Sequence, residues 1–125
     1  MSLNIIQRIR NDNAKIIDVG GGASVLADFL LDLGYSNIAV LDISDKAILH
    51  AKKRLADKAA RIEWYVKDIT EFVPLHPYDI WHDRAVFHFL IDKKSRDLYV
   101  KALKNTLPSG GYAIIATLAQ RNAAV

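Results

Sequence analysis

The feature that most narrows the fold is a regular change of hydrophobic period along the chain. Five short apolar runs read as buried strands: Lys15-Ile16-Ile17-Asp18-Val19, Ile38-Ala39-Val40-Leu41, Ile62-Glu63-Trp64-Tyr65-Val66, Asp79-Ile80-Trp81 and Tyr112 to Leu118. Between them, apolar residues recur three and four apart. Ser24 precedes Val25, Leu26, Phe29, Leu30 and Leu33, with Asp28 in the first turn and Gly34 as a stop. Ser44 caps a predicted helix that turns Ile48, Ala51 and Leu55 inward and Lys52, Lys53 and Arg54 outward. Asp92 is placed to cap another, from about Lys93 to Leu107, ended by Pro108, Gly110 and Gly111. Ser2–Arg10 reads as one or two helical turns, and Pro74 and Pro77 punctuate a loop. Strands separated by helices in this way imply parallel pairing through right-handed crossovers. The expected fold class is α/β, a doubly wound, mainly parallel sheet with helices on both faces.

The rest of the composition removes other classes. At 125 residues the chain is close to one domain of ~150 residues, and no repeat, linker or low-complexity tract divides it, so residues 1–125 are expected to form a single domain. Seventeen Lys and Arg against fourteen Asp and Glu leave a charge of +3, spread without a basic stripe, so no nucleic-acid partner is expected. Cysteine is absent, which excludes disulfides, thiolate-bound zinc and a thiol nucleophile. No apolar run approaches ~18 residues, and the polar start lacks the apolar stretch of a secretory signal. A soluble, cytoplasmic domain with no membrane partner is the expectation.

In doubly wound sheets, ligands bind beyond the carboxyl ends of the strands. Four such ends carry the chemistry here: Asp18–Ser24, Asp42–Ile43, Asp68–Ile69 and His82–Arg84. Gly20, Gly21 and Gly22 let a ligand approach bare backbone, although a tight strand-to-helix turn would also use small residues. A dinucleotide fingerprint fits poorly, because Val25 stands at its third glycine position. Asp18 beside the loop would also repel a pyrophosphate by roughly 3 kcal/mol per charge pair at ~5 Å and an effective dielectric of ~20. A phosphate loop is excluded because no Lys follows the glycines. The loop suits an α-amino group near Asp18, with the ligand's carboxylate toward the helix start.

Asp42, twenty-two residues after Gly20, suits two vicinal ribose hydroxyls and would repel a 2′-phosphate, though it could instead simply start the next helix. Asp68 can accept from a purine amine, with Ile43 and Ile69 forming a slot for the ring, or it can cap a loop. Together the three acids describe a ligand with an amino-acid end, a ribose and an adenine.

These segments resemble the S-adenosylmethionine-dependent methyltransferases of the Rossmann-like class. Ile16-Ile17-Asp18-Val19-Gly20-Gly21-Gly22 is similar to the family's glycine motif, Val40-Leu41-Asp42-Ile43-Ser44 to its ribose-binding strand end, and Val66-Lys67-Asp68-Ile69 to its adenine-binding one. Tyr78-Asp79-Ile80-Trp81-His82-Asp83 resembles the fourth strand with its substrate-facing end, and Leu107-Pro108-Ser109-Gly110-Gly111-Tyr112 the entry to the fifth. The resemblance implies S-adenosylmethionine as cofactor, held by Asp18, Gly20, Gly21, Gly22, Asp42, Ile43, Asp68 and Ile69. Two departures accompany it. Ser24 stands where the family usually has a further glycine, and the family's last two strands are lacking. The fifth strand would then be an apolar sheet edge, so the chain is a fragment or another copy or protein pairs with that edge; self-association is expected there.

The segment His82-Asp83-Arg84-Ala85-Val86-Phe87-His88-Phe89 is expected to follow the fourth strand and lie under the reactive methyl. His82 or Asp83 would accept a proton from the acceptor, Arg84 would orient a carboxylate, and Phe87 with Phe89 would exclude water. Asp83 and Arg84 could instead form a local ion pair, and His88 could pack between the phenylalanines. His82 and His88 with Asp83 could suggest a metal site, but nothing fixes a third ligand at the right spacing, so none is expected. His50 and His76 read as surface residues. The activity implied is methyl transfer to an acceptor the sequence does not specify, a small molecule in preference to a protein. The alternatives are a non-catalytic adenosylmethionine-binding module and an NAD-dependent oxidoreductase.

Overall fold

A strand buried on both faces must be apolar on both, which is why the apolar runs are continuous and not alternating. The computed structural model describes Ile6 and residues 13–115. In it these runs become β1 (Lys15–Val19), β2 (Asn37–Asp42), β3 (Ile62–Val66), β4 (Ile80–Asp83) and β5 (Tyr112–Ile115). All neighbouring pairs are parallel, and the order is β3-β2-β1-β4-β5. The chain runs outward from β1 to β3 and then returns to the other side of β1, so strand order reverses between β1 and β4. This is the doubly wound parallel sheet that the hydrophobic pattern implies.

Helices α1 (Leu26–Asp32), α2 (Asp45–Leu55), the single-turn α3 (Val86–Phe89) and α4 (Lys93–Thr106) connect the strands. Leu26, Leu30 and Leu31 of α1 and Ile48 and Leu55 of α2 pack with Ile16, Ile38, Val40, Ile62, Ile80 and Ile114, the alternate strand residues of one sheet face. Tyr99 and Ala102 of α4 join Ile17, Val19, Ala39, Leu41 and Trp81 on the other. Ile6 is helical and fully buried against the first of these layers; the other expected turns of the N-terminal segment, and the fifth strand beyond Ile115, lie outside the described residues.

Local chemistry sets the helix starts. Ser44 Oγ accepts from Ala47 N at 3.1 Å and Asp92 Oδ2 from Ser95 N at 3.0 Å, the caps read from the sequence. Ser24 Oγ accepts from Leu26 N at 3.1 Å, so the residue at the family's glycine position closes the entry to α1. Gly34 ends α1 at φ +96°, and its N–H donates to Leu31 O. The largest boundary difference from expectation is at the end of the fourth strand. The fourth strand continues through His82 and Asp83, both buried, because their side chains find partners inside the protein.

Candidate functional site

The strand ends converge. A cavity of about 280 Å³ opens at the carboxyl ends of β1, β2 and β3 and is closed on the fourth side by α3. Its size falls near the lower end of ligand pockets, ~300–1,000 Å³. Gly20, Asp42, Ile43, Asp68, Ile69 and Phe89 all line it, together with Leu41, Lys67, Val86 and Leu90. Of the eight residues expected to hold a cofactor, five thus meet at one surface.

The glycine loop owes its path to the groups packed against each of its three glycines. Gly20 has φ +74°, a left-handed conformation, and a Cβ there would overlap Val86 Cγ2. Its N–H donates to Leu41 O at 2.7 Å, tying the loop to the end of β2. Gly21 and Gly22 begin a short 3-10 turn, Gly21–Ala23, and are buried. A Cβ on Gly21 would overlap Asp18 Oδ2, and one on Gly22 would lie 2.7 Å from Asp42 Oδ2 and 2.8 Å from Ala47 Cβ.

Asp42 is the hinge of this arrangement. Its Oδ2 accepts from Gly22 N at 3.0 Å and its Oδ1 from Ser44 N at 2.9 Å, so one carboxylate at the rim fixes both the glycine loop and the start of α2. Each oxygen keeps a lone pair for a ligand. Asp68 Oδ1 accepts from Thr70 N and Oγ1, at 2.9 and 2.8 Å. Ile43, 69% exposed, and the buried Ile69 stand at the same cavity.

Asp18 lies elsewhere than expected. It is 2% exposed and does not line the cavity; its carboxylate lies beneath Gly21, on the α1 and α2 side of the sheet. Oδ1 is 2.9 Å from His82 Nδ1. Burial pushes the Asp18 carboxyl up from its ordinary value, and the hydrogen bond from His82 opposes this.

His82 and Asp83 are adjacent strand residues, so their side chains leave opposite faces of the sheet and cannot act on one point. Asp83 is fully buried with its oxygens filled. Oδ1 accepts from Ala85 N and Val86 N at 2.9 and 2.7 Å, Oδ2 from Phe87 N and Tyr99 OH at 2.9 and 2.6 Å. Burial first, then the Asp83 charge, pushes the Tyr99 hydroxyl up, which keeps it a donor. The Asp83–Arg84 ion pair does not form, because these donors occupy Asp83 and Arg84 is exposed. Phe87 packs on Tyr99 with ring centroids 4.9 Å apart, while Phe89, 64% exposed, faces the cavity. His88 is exposed with its ring against Phe89, not packed between two rings. His76 is half-buried, bonded to Glu63 and Pro77 O, where the sequence reads as plain surface.

Sequence reasoning missed Leu41, Lys67, Val86 and Leu90 as lining. Val86 and Phe89 are three apart on a helical turn and so share a face, a spacing that could have marked them. Among the described residues, no helix is long and apolar enough to cross a membrane.

A model of a family described as "methyltransferase domain" matches residues 16–111. Malonyl-(acyl-carrier protein) O-methyltransferase 2 of Ilyobacter polytropus is 28% identical over 104 residues, which take in 82% of this chain and 39% of that protein. Among solved structures, an S-adenosylmethionine-dependent methyltransferase from Clostridium acetobutylicum superposes with TM-score 0.76 at 21% identity, covering 89% of this chain and 46% of its own. A glycopeptide N-methyltransferase in complex with S-adenosyl-L-methionine gives 0.75 at 19% identity, covering 90% and 50%. At these identities the structural likeness shows a shared fold. The chain spans half or less of the length of each of these three proteins.

Proposed function

Because the chain belongs to the methyltransferase domain family, we propose that it binds S-adenosylmethionine at the strand-end cavity and transfers its methyl group to a small-molecule acceptor. The observation that carries the reading is Asp42, a rim carboxylate already bonded to Gly22 N and Ser44 N, with lone pairs left for two ribose hydroxyls. Asp68 accepts from the adenine amine, and Ile43 and Ile69 flank the ring. Gly20, Gly21 and Gly22 receive the amino-acid end, with the Asp18 charge beneath them. The residues present fit such a ligand: side chains at Gly20 or Gly21 would overlap their neighbours, and Asp18 Oδ2 is buried without a partner among the described residues.

The bound donor would supply a methyl on positively charged sulfur. What this chain supplies is orientation and exclusion of water, with Val86, Phe89 and Leu90 as the apolar wall. In place of His82 or Asp83 as proton acceptor, we assign Asp83 to holding that wall. A second reading follows from the burial of both candidate bases: a module that binds the donor without turnover.

Calorimetry with S-adenosylmethionine and S-adenosylhomocysteine tests the donor site. Binding of both is expected, and a ligand at a hundred times its Kd should add ~2.7 kcal/mol of stability, enough for a clear rise in Tm. No heat and no shift with either would remove the reading. Transfer of labelled methyl to any of a panel of small acceptors separates the enzyme from the binding module. We further propose one cytoplasmic domain that self-associates along β5, which with β3 forms an edge of the described sheet. Sedimentation as a monomer at micromolar concentration would count against the association.

A further inference from the structure

Asp18 and His82 form a buried pair to which the methyl-transfer reading gives only half an explanation. They are register partners on β1 and β4, 2% and 4% exposed, with His82 Nδ1 2.9 Å from Asp18 Oδ1. The remaining polar atoms of both, Asp18 Oδ2 and His82 Nε2, are buried without a hydrogen-bond partner among the described residues. A buried polar atom left without a partner is destabilising, and more so when charged, so the fold alone gains nothing from them.

Counting protons shows what the pair is for. One proton lies between Nδ1 and Oδ1. A second, on Nε2, would be a buried N–H with no acceptor, which is worse than an unpaired acceptor. That geometry favours Nδ1–H donating to Oδ1 and leaves Asp18 Oδ2, beneath Gly21, as an unused acceptor. Beyond the pair, the Asp83 charge, of the same sign, also works to protonate Asp18. A carboxylate oxygen thus lies under Gly21 without a hydrogen-bond partner among the described residues.

We propose that His82 is a positioning residue for the cationic end of the donor: its Nδ1–H keeps Asp18 an anion with Oδ2 turned to the glycine loop, and so selects ligands that carry an α-ammonium group over the bare nucleoside. This rests on the donor reading above. Burial works to protonate Asp18 and the His82 hydrogen bond works against it, so an apolar residue at position 82 would let the acid become neutral.

The test compares two ligands by calorimetry at pH 7.5. S-adenosylhomocysteine carries the amino-acid end; 5′-methylthioadenosine keeps adenine, ribose and sulfur but lacks it. His82→Phe should weaken the first at least tenfold and leave the second within twofold. Asp18→Asn, nearly isosteric, should show the same selective loss and decides the matter if His82→Phe does not fold by circular dichroism. His82→Asn, whose amide N–H can stand where Nδ1–H does, should stay within threefold of wild type for both. Equal losses for the two ligands, or unchanged selectivity in Asp18→Asn, would overturn the role of His82. Wild-type protein that binds neither compound would overturn the donor reading itself.

Discussion

Asp83→Ala is expected to lower the thermal midpoint by more than 10 °C, the largest stability loss of any single substitution considered for this chain. The substitution removes the acceptor for three successive N–H groups, of Ala85, Val86 and Phe87, and for the Tyr99 hydroxyl. The amides are half-buried and can recover part of the loss from water, but Tyr99, 1% exposed, cannot. Removing one partner from a buried charged network typically costs ~3–5 kcal/mol, against a total stability of ~5–15 kcal/mol. The damage should spread to ligand binding, since α3 brings Val86 and Phe89 to the cavity and Asp83 fixes its first amides. Asp83→Asn separates this account from a proton-transfer role. It keeps Oδ1 for Ala85 and Val86 but loses an acceptor facing Phe87 N and Tyr99 OH, so it should melt lower. If methyl transfer is measurable, its pH–rate profile should keep the wild-type shape. A variant that melts within 2 °C of wild type but has lost turnover would return Asp83 to the role of base.

The outcome at Asp83 marks where the sequence stopped being readable. Strands β1 and β3 carry the boundaries that the apolar runs imply, because burial on both faces leaves an unbroken signal. Asp42 and Asp68 meet at one cavity because parallel strands align their carboxyl ends whatever the details of packing. His82 and Asp83 broke the apolar pattern and so looked like a loop. They are strand residues because partners distant in sequence satisfy them: Asp18, 64 residues away, and Tyr99, 16 residues away. Nothing local encodes the register that sets β1 beside β4. The alternation of a strand does say that two adjacent residues cannot share a face, and Asp83 just ahead of Ala85-Val86-Phe87 has the placing of an acid at a helix start. Those two signals were legible. The direction of the Asp18 carboxylate, under the loop and not into the cavity, needed the glycine path itself.

Gly22→Ala should lose at least thirtyfold in affinity for S-adenosylhomocysteine, while Ala23→Ser, next to it and exposed, should stay near wild type. The added Cβ would stand 2.7 Å from Asp42 Oδ2 and 2.8 Å from Ala47 Cβ. The carboxylate end can swing away, but Ala47 is pinned through its N–H to Ser44 Oγ at the first turn of α2, so the strain falls on Asp42. Once displaced, Asp42 releases Gly22 N and Ser44 N, and the ribose loses its acceptor. Asp42→Ala by itself should weaken binding by ~1–3 kcal/mol, the range for losing charge-assisted hydrogen bonds, or about five- to 150-fold. The two substitutions must then be strongly coupled. If alanine at position 22 acts by moving Asp42, it has little left to remove once Asp42 is gone, and the double variant should bind far more tightly than the product of the two single losses implies. Strict additivity in that cycle would mean that the glycine serves the ligand directly and that the carboxylate does not carry the loop.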